Sequence, residues 1–364
     1  MSIMFVGKPR ARRRMWPARL LAAVLFVTAC GGGDDPGSAS SSESRGSDEA
    51  VTLRLGYFPN VTHAPAIIGL EEGIFADALG DNVTLETATF NAGTEAIEAL
   101  FSGAIDASFI GPNPAINGFA QSDGAALRII SGTTSGGAAL VVNPEVSSPE
   151  DLRGATLATP SLGNTQDVAL RAWLAEEGFS TDTTGGGDVS IVPQSNADTL
   201  TAFQQGQIDG AWVPEPWATR LILEGGGEVL VDEADVWPDG QFVTTHLIVA
   251  TEFLSEHPDT VRDLLAGLVD SIEFANENTA EAQTVTNAGI ESITQSALPD
   301  ETIQRAWENL TFTWDPIASS LVGSAEDAEA VGLLDPVDLD GIYDLTLLNE
   351  VLADREIEEV QEAT

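Results

Sequence analysis

The stretch ALFSGAIDASFIGPNP, residues 99–114, returns as AFQQGQIDGAWVPEPW at residues 202–217. Each copy has the apolar end of an amphipathic helix, a glycine stop, Ile-Asp, a short apolar run and a pair of prolines. An offset of 103 relates three pairs: Gly103 and Gly206, Ile105 and Ile208, Asp106 and Asp209. The prolines slip by one residue, and two ordinary α/β units would share part of this pattern. The constant offset favours a duplicated unit of helix, turn, buried strand and loop.

The segments around both copies alternate between strand and helix patterns. Val51–Tyr57 and Val83–Thr89 have strand patterns, and a polar turn at 91–94 caps the helix that leads into the first copy. A strand at 189–193 and a polar turn at 196–199 precede the second copy in the same way. This alternation predicts two α/β lobes, each with a mostly parallel sheet covered by helices on both faces. Ligands bind beyond the carboxyl ends of such strands, so two facing lobes predict a cleft.

The first thirty residues have the features of an export signal. Six basic residues precede or flank the apolar run LLAAVLFVTA at 20–29, which is too short to span a bilayer. The run ends in Val-Thr-Ala-Cys, which resembles the lipobox of bacterial lipoproteins and implies lipid attachment at Cys30, the only cysteine. The alternative is an ordinary cleavage site beside an unrelated cysteine. We therefore predict a signal peptide at 1–29 and a flexible Gly-, Ser- and acid-rich tether at 30–50.

The exported part of the chain is strongly acidic. Beyond Cys30 it has nine arginines, no lysine and 57 carboxylates, which gives a net charge of −48. Such a charge repels nucleic acid and anionic membrane surfaces, so neither is expected as a partner. Adaptation to a saline medium explains the excess of carboxylates, whereas a GC-rich genome explains the absence of lysine. The composition leaves both explanations open.

A series of motifs in order resembles a known protein family. The motifs are YFPNVTHAPA, GAIDASFIGPNPA, SGGAALVV, TPSLGNTQDVALRAWL, GQIDGAWVPEPWATR and GQFVTTHLIV, between residue 57 and about residue 249. Together they are similar to the solute-binding lipoproteins of the nitrate, taurine and aliphatic-sulfonate ABC importers. The resemblance implies the type II periplasmic-binding-protein fold, in which two α/β lobes are joined by two crossover strands. It places lobe 1 at 51–140 and 246–364, lobe 2 at 141–245, and the crossings near 138–143 and 242–250.

The same resemblance implies a function. It predicts an extracytoplasmic receptor that captures a small organic anion, an alkanesulfonate or taurine first, closes around it and delivers it to an ABC permease and its ATPase. Nitrate and a thiamin-precursor-like solute are alternatives, as is a ligand-sensing lipoprotein that feeds a membrane sensor. We expect a monomer that is held to the outer face of the cytoplasmic membrane only through its lipid.

An enzymatic function is not expected. A pyrimidine-forming thiamin enzyme shares this fold, and the resemblance implies that it uses lysine-bound pyridoxal phosphate and a cysteine-rich motif. The chain beyond Cys30 has no lysine and no further cysteine. The histidines at 63, 246 and 257 lack metal-ligand spacing, and no nucleophile, base and orienting group stand at a recognisable spacing. We therefore expect no metal, no cofactor and no catalytic residue.

Helix amino termini are the expected anion holders, because their free N–H groups and dipole attract negative charge without a basic side chain. The candidate ligand-binding residues at such turns are Asn60, His63, Gly93, Thr94, Asn113, Ser135, Gly136, Gly137, Gly163, Asn164 and Thr165. Trp217 is expected to wall the cleft, and His246 lies at a predicted crossing. Glu215 predicts an amine in the solute or an ion pair with an arginine such as Arg220. Each of these residues also has a purely structural explanation as a cap, a turn or a core residue.

Overall fold

The computed structural model describes residues 50–361, so the predicted signal peptide, Cys30 and the tether up to residue 49 lie outside the described residues. The strands are β1 Val51–Tyr57, β2 Val83–Thr89, β3 Ala107–Ile110, β4 Leu127–Gly136, β5 Ala138–Val142, β6 Thr156–Thr159, β7 Ser190–Pro193, β8 Gly210–Pro214, β9 Glu228–Asp232, β10 Val243–Ala250 and β11 Leu310–Phe312. The helices are α1 Ala64–Glu71, α2 Ile74–Leu79, α3 Gly93–Phe101, α4 Pro112–Gln121, α5 Thr165–Glu176, α6 Asn196–Gln204, α7 Trp217–Leu223, α8 Thr251–Glu256, α9 Pro258–Glu277, α10 Thr279–Thr294, α11 Asp300–Glu308, α12 Ala318–Ala330 and α13 Thr346–Asp354.

Two sheets divide these strands. The first has the order β11-β4-β10-β3-β1-β2 and the second β7-β6-β8-β5-β9. We call the elements around the first sheet the first lobe and those around the second sheet the second lobe. The chain passes between the sheets at Gly136 and Gly137, ahead of β5, and again within residues 233–242, ahead of β10.

Both sheets are mixed, which corrects the expectation of mostly parallel ones. β1 pairs in parallel with β2 and β3, and β6 with β7 and β8. By contrast, β10 runs antiparallel to β3 and β4, and β5 runs antiparallel to β8 and β9. The reason is the route of the chain: a strand that arrives from the other lobe starts at the edge where the parallel strands end.

The two copies of the repeated stretch fold alike. In the first, the Asp106 carboxylate accepts the backbone N–H of Arg54 at 2.8 Å, and its own N–H donates to the Arg54 carbonyl at 2.8 Å. In the second, Asp209 makes the same exchange with Thr156, at 2.7 and 2.8 Å. Each aspartate thus joins the start of its strand, β3 or β8, to the neighbouring parallel strand, to the middle of β1 or to the first residue of β6.

Helix α9 anchors the C-terminal part of the chain to the first lobe. It begins at a proline in its first turn, where the missing N–H has no intrahelical partner to lose. Its buried side chains recur at helical spacing, at Val261, Leu264, Leu265, Leu268 and Ile272. They pack into the same core as helices α1 and α2, and burial of each such side chain stabilises the fold by about 1.5 to 3 kcal/mol. Within residues 50–361, no helix combines the length and apolar character needed to cross a membrane.

Candidate functional site

A cavity of about 40 Å³ lies between the two lobes, and we call it the inner chamber. Its lining is Phe58, Asn60, Thr62, His63, Gly93, Gly111, Pro114, Thr244 and Thr245 from the first lobe and Asn164, Thr165, Gln166 and Pro214 from the second. None of these side chains is an acid, a lysine or an arginine. The volume is on the scale of one or two water molecules, each of which occupies about 30 Å³ in the liquid. Only a small polyatomic group fits while the lobes are arranged in this way.

Four helices begin at the inner chamber. His63 is the N-cap of α1, Gly93 is the first residue of α3, Gly111 is the N-cap of α4, and Asn164 and Thr165 cap and open α5. The first turn of a helix carries N–H groups without intrahelical partners, and the helix dipole adds partial positive charge there. Pro65, Pro112 and Pro114 lack an N–H, and the Ala64 N–H already donates to the Val61 carbonyl, so α1 and α4 contribute fewer donors than α3 or α5. The arrangement favours a negatively charged group without any basic side chain.

A buried ion pair shapes the second-lobe side of the chamber. Asn164 accepts the N–H of Asp167 at 3.0 Å, as an N-cap does. The Asp167 carboxylate accepts the Gly163 N–H at 2.9 Å and the Arg171 guanidinium at 3.0 Å, and both charged side chains are fully buried. Arg171 therefore neutralises a carboxylate that would otherwise repel an anion at the start of α5. The i, i+4 spacing of this pair is visible in the sequence, but the sequence reasoning missed it.

His63 is a neutral polar group in the chamber wall. Complete burial lowers its pKa to about 3, so the imidazole is uncharged at neutral pH. Its Nδ1 is buried and has no hydrogen-bond partner among the described residues, and its ring centroid lies 4.6 Å from that of Phe58. A neutral imidazole can donate a hydrogen bond from one ring nitrogen and accept one at the other. A buried polar atom without a partner is costly, which favours a ligand that supplies one.

A second cavity of about 500 Å³ adjoins the first, and we call it the outer vestibule. Its lining is Phe58, Pro59, Asn60, Phe90, Asn91, Ile290, Thr294, Ser296, Ala297, Leu298 and Pro299 from the first lobe and Ser195, Asn196, Ala197, Pro216, Trp217, Arg220 and Glu224 from the second. Phe58 and Asn60 line both cavities. The Trp217 indole N–H donates to Asn60 Oδ1 at 3.0 Å, which joins the lobes where the cavities meet.

The structure brings five of the predicted site residues together in the inner chamber: Asn60, His63, Gly93, Asn164 and Thr165. Trp217 lines the outer vestibule, in line with its expected place in the cleft wall. Asn164 makes the predicted cap hydrogen bond, whereas Asn60 does not cap a helix with its side chain and accepts from the Trp217 indole instead.

Other predicted residues lie outside the chamber. Ser135, Gly136 and Gly137 line a separate cavity of about 460 Å³, because β4 ends there and passes the chain to the second sheet. Thr94 is exposed on α3. The Gly163 carbonyl is turned toward the first lobe, where it accepts Asn117 Nδ2 at 3.3 Å.

Asn113 and His246 are held inside the first lobe rather than in the chamber lining. Asn113 Nδ2 donates to the Ser324 carbonyl at 3.0 Å. His246 Nε2 lies 3.1 Å from the Pro316 carbonyl oxygen, and burial lowers the pKa of the imidazole to about 4. The irregular register of β10 around residues 243–246 brings its two threonines to the chamber and leaves His246 within the sheet.

Glu215 does not make the predicted pair with Arg220. Its carboxylate is buried and accepts Thr219 Oγ1 at 2.9 Å and, across the lobes, Asn309 Nδ2 at 2.7 Å. Burial raises the pKa of this carboxyl group. Arg220 instead pairs with Glu224, at 2.6 Å between Nε and Oε1, because the two lie one helical turn apart. Glu215 therefore ties the lobes together and lines neither the chamber nor the vestibule.

Sequence reasoning missed several chamber residues: Phe58, Thr62, Gly111, Pro114, Gln166, Pro214, Thr244 and Thr245. A signal existed for two of them. Gly111 and Pro214 stand at the same position of the two copies, 103 residues apart, at the carboxyl ends of β3 and β8. Within residues 50–361, no group of three or more His, Cys, Asp or Glu side chains is placed to hold a metal ion.

Comparison with known proteins gives several relatives whose names describe solute-binding proteins. The taurine-binding periplasmic protein of Escherichia coli K12 is 28% identical over 224 residues, which are 61% of this chain and 66%, just under two thirds, of that protein. The alkanesulfonate-binding protein SsuA of Xanthomonas axonopodis pv. citri, solved with MOPS, has a TM-score of 0.65 at 19% identity and covers 79% of this chain and 96% of its own. The periplasmic nitrate-binding protein NrtA of Synechocystis PCC 6803 has a TM-score of 0.69 at 16% identity, and the match covers 85% of this chain and 90% of that protein's chain.

At these identities the two structures concern the fold, and they confirm the predicted periplasmic-binding-protein architecture of two α/β lobes around a cleft. The family assignment comes from the sequence. The model of the NMT1-like family matches residues 46–289, which is about two thirds of the chain. The chain therefore belongs to the NMT1-like family.

Proposed function

We propose that the protein is the extracytoplasmic solute-binding receptor of an ABC importer and that it captures a small organic anion, an alkanesulfonate or taurine. One observation carries the proposal: the amino termini of four helices meet at a chamber between the lobes that has no charged lining residue. The relatives that bind taurine, alkanesulfonate and nitrate support the same class of solute.

The charge of the protein opposes the binding of an anion at long range. At a net charge of −48, the field of the exported chain opposes any anion at long range. Backbone N–H groups at helix ends act at short range, in a site from which most water is excluded, and so compensate for that field. The solute is then bound as an anion without a lysine or an arginine in contact with it.

Closure of the lobes completes the site. Three side-chain hydrogen bonds cross the cleft: Asn117 to the Gly163 carbonyl, Trp217 to Asn60, and Asn309 to Glu215. Each is worth about 1 kcal/mol net, so a bound solute that bridges the lobes shifts the balance to the closed form. The closed form docks on the permease, which works with an ATPase, and the protein acts by binding and not by catalysis.

A nitrate-like anion is the second candidate, because the chamber of about 40 Å³ suits a small inorganic anion without further opening. A thiamin-precursor-like solute, or a role in feeding a membrane sensor, would use the same cleft. We further propose that the receptor is a monomer that Cys30 anchors through lipid to the outer face of the cytoplasmic membrane. Loss of membrane association in Cys30→Ser tests the anchor.

Isothermal titration against methanesulfonate, taurine, nitrate, bicarbonate and a pyrimidine tests the solute class. We expect binding of sulfonates, and we expect Thr165→Val to weaken it about tenfold or more, because a hydrogen bond to a charged group is lost in the chamber. Thr94→Val, on the exposed side of α3, is the matched control and should bind as the wild type does. Failure of every anion to bind the folded protein would overturn the proposal.

A further inference from the structure

The inner chamber and the outer vestibule differ in size by an order of magnitude. The chamber measures about 40 Å³ and the vestibule about 500 Å³. A sulfonate with a substituent of several carbons exceeds the chamber as it stands, whereas the vestibule has room for such a substituent. Phe58 and Asn60 are common to both linings, so the two spaces adjoin at these residues.

Trp217 stands at that boundary. Its indole N–H donates to Asn60 Oδ1 at 3.0 Å, and Asn60 faces both cavities. The Arg220 guanidinium lies over the indole ring, 4.6 Å from its centroid, and is held there by Glu224. The indole ring is therefore in contact with Arg220 on one face and bonded to the first lobe through its N–H. A side chain held in this way can act as a gate that closes when the lobes close.

The charges of the vestibule are matched. Among residues 50–361, Arg220 and Glu224 are the only charged residues of its lining, and they pair with each other through two hydrogen bonds of 2.6 and 3.2 Å. An ammonium group would find no free carboxylate in either lining, and a second anionic group would find no free cation. The rest is apolar, as at Phe90 and Leu298, or neutral and polar, as at Asn196. This chemistry suits an uncharged substituent.

We propose that Trp217 is a gate between the two cavities and determines how long a solute can be. The preferred solute is a sulfonate with an uncharged substituent. The substituent enters the outer vestibule when the hydrogen bond between Trp217 and Asn60 opens. The proposal rests on the proposed function and narrows it, because it places taurine, with its ammonium group, below alkanesulfonates of greater length. The head group occupies the chamber in every case.

Two effects oppose each other as the substituent grows. Opening the gate costs one interlobe hydrogen bond, a loss of about fivefold in affinity, the equivalent of about 1 kcal/mol. Each methylene buried in the vestibule returns about fourfold, the equivalent of about 0.8 kcal/mol. Methanesulfonate is expected to bind with the gate closed, and butanesulfonate and hexanesulfonate with it open. Hexanesulfonate should then bind about fifteenfold more tightly than butanesulfonate.

The test is isothermal titration of methanesulfonate, butanesulfonate, hexanesulfonate and taurine into the wild type and Trp217→Phe. Phenylalanine keeps an aromatic wall and removes the N–H donor. The methanesulfonate complex therefore loses the gate bond and weakens about fivefold, whereas the hexanesulfonate complex, in which that bond is already open, is unchanged. The preference for the long over the short sulfonate should thus rise about fivefold.

Asn117→Ala is the matched control, because it removes another hydrogen bond across the cleft, to the Gly163 carbonyl, far from the vestibule lining. It should weaken all sulfonates by the same factor and leave the preference unchanged. Equal affinities for all chain lengths, or an unchanged preference in Trp217→Phe, would overturn the gate while anion binding stands. Absence of binding by every anion would overturn the proposed function and the gate with it.

Discussion

The two copies of the repeated unit share a scaffold and differ where their strands end. In both, a glycine with positive φ ends the helix, and a buried isoleucine and an aspartate open the next strand. Beyond the strand, the first copy continues through Gly111 into α4, whose start lines the inner chamber. The second continues through Glu215, which ties the lobes, into Trp217, which lines the vestibule and bonds to Asn60. A duplicated scaffold thus positions the cleft, and the loop after each strand determines what the cleft does.

The largest expected effect comes from closing the space at Gly111. A Cβ built there lies 2.6 Å from Thr165 Oγ1, on the opposite lobe, and its φ of −72° is open to any residue. Gly111→Ala should therefore fold normally but resist closure, and weaken the best-bound sulfonate about a hundredfold, at the upper end of overpacking costs. Titration calorimetry measures the affinity, and thermal unfolding checks the fold.

Gly210, in the second copy, provides the contrast. A Cβ built there lies 2.6 Å from the Val141 carbonyl oxygen, within the second sheet rather than across the cleft. Gly210→Ala should therefore lower the melting temperature, whereas Gly111→Ala should not. If Gly111→Ala lowers the melting temperature and leaves the affinity for the sulfonate unchanged, this glycine does not lie where the two lobes meet on closure.

Trp212 of the second copy stands where the first copy has Phe109, and this difference predicts a pH effect. The Trp212 indole donates to Glu233 at 2.6 Å, and burial raises the pKa of that carboxyl group to about 7. A raised carboxyl pKa means that the folded state holds the proton more tightly than the unfolded one. Its contribution to stability is therefore full below about pH 4.5 and is lost as the pH rises through 7.

Urea unfolding at pH 5 and pH 8 measures this loss, which we expect to be about 2 to 3 kcal/mol in the wild type from Glu233. Glu233→Gln keeps an oxygen acceptor for the indole and removes the titrating carboxyl group. Between pH 5 and pH 8 its free energy of unfolding should therefore fall by about 2 to 3 kcal/mol less than that of the wild type. Asp327, whose pKa burial raises to about 6, is present in both proteins, and its negative charge also raises the pKa of Glu233. If stability depends on pH in the same way in both proteins, the pKa of Glu233 lies outside the range from pH 5 to pH 8.

The paired aspartates predict a smaller and equal effect in the two copies. Asp106→Ala and Asp209→Ala each leave the N–H of a neighbouring strand without its acceptor, at a cost of about 1 to 3 kcal/mol. Asp106 also pairs with the Arg54 guanidinium, but that side chain is 40% exposed, so the pair adds at most about 1 kcal/mol. Urea unfolding of both variants tests this. A cost in Asp106→Ala alone would break the equivalence of the two scaffolds.

The parts of this architecture that depend on neighbouring residues could be predicted from the sequence. Glycine stops, Ile-Asp pairs and strand patterns are set by neighbouring residues, so the repeated units were predicted correctly. The order of the sheets was not predictable, because β10 inserts between β3 and β4 from more than a hundred residues away. The expectation of mostly parallel sheets was wrong for that reason.

The residues of the candidate site also fall into those with local contacts and those with contacts to distant parts of the chain. Asn164 makes the cap that its position before a helix predicted, since a cap depends on the next three residues. Asn113 lies at a similar helix start but bonds to Ser324, which is over two hundred residues away in the sequence. No local pattern indicates such a partner. Residues whose contacts are local could be placed from sequence, and those whose contacts cross the fold could not.

The smallest expected effect distinguishes whether the helix ends at the inner chamber or the Arg220 side chain, which follows the second copy, holds the anion. If the helix ends at the inner chamber hold it, the nearest positive charge is backbone, and the net charge of −48 beyond Cys30 repels the solute at long range. The Debye length falls from about 30 Å at 0.01 M salt to about 3 Å at 1 M, which screens distant carboxylates and spares short N–H contacts. Affinity for the best-bound sulfonate should then rise a few-fold with salt. If Arg220 holds it instead, screening weakens the attraction, and affinity should fall. Titration calorimetry from 0.01 M to 1 M of a salt whose ions do not compete separates the two, with circular dichroism at each point to check the fold. Arg220→Gln should keep the rise in affinity with salt if the chamber holds the head group, and a reversal from falling to rising in that variant would assign the anion to Arg220.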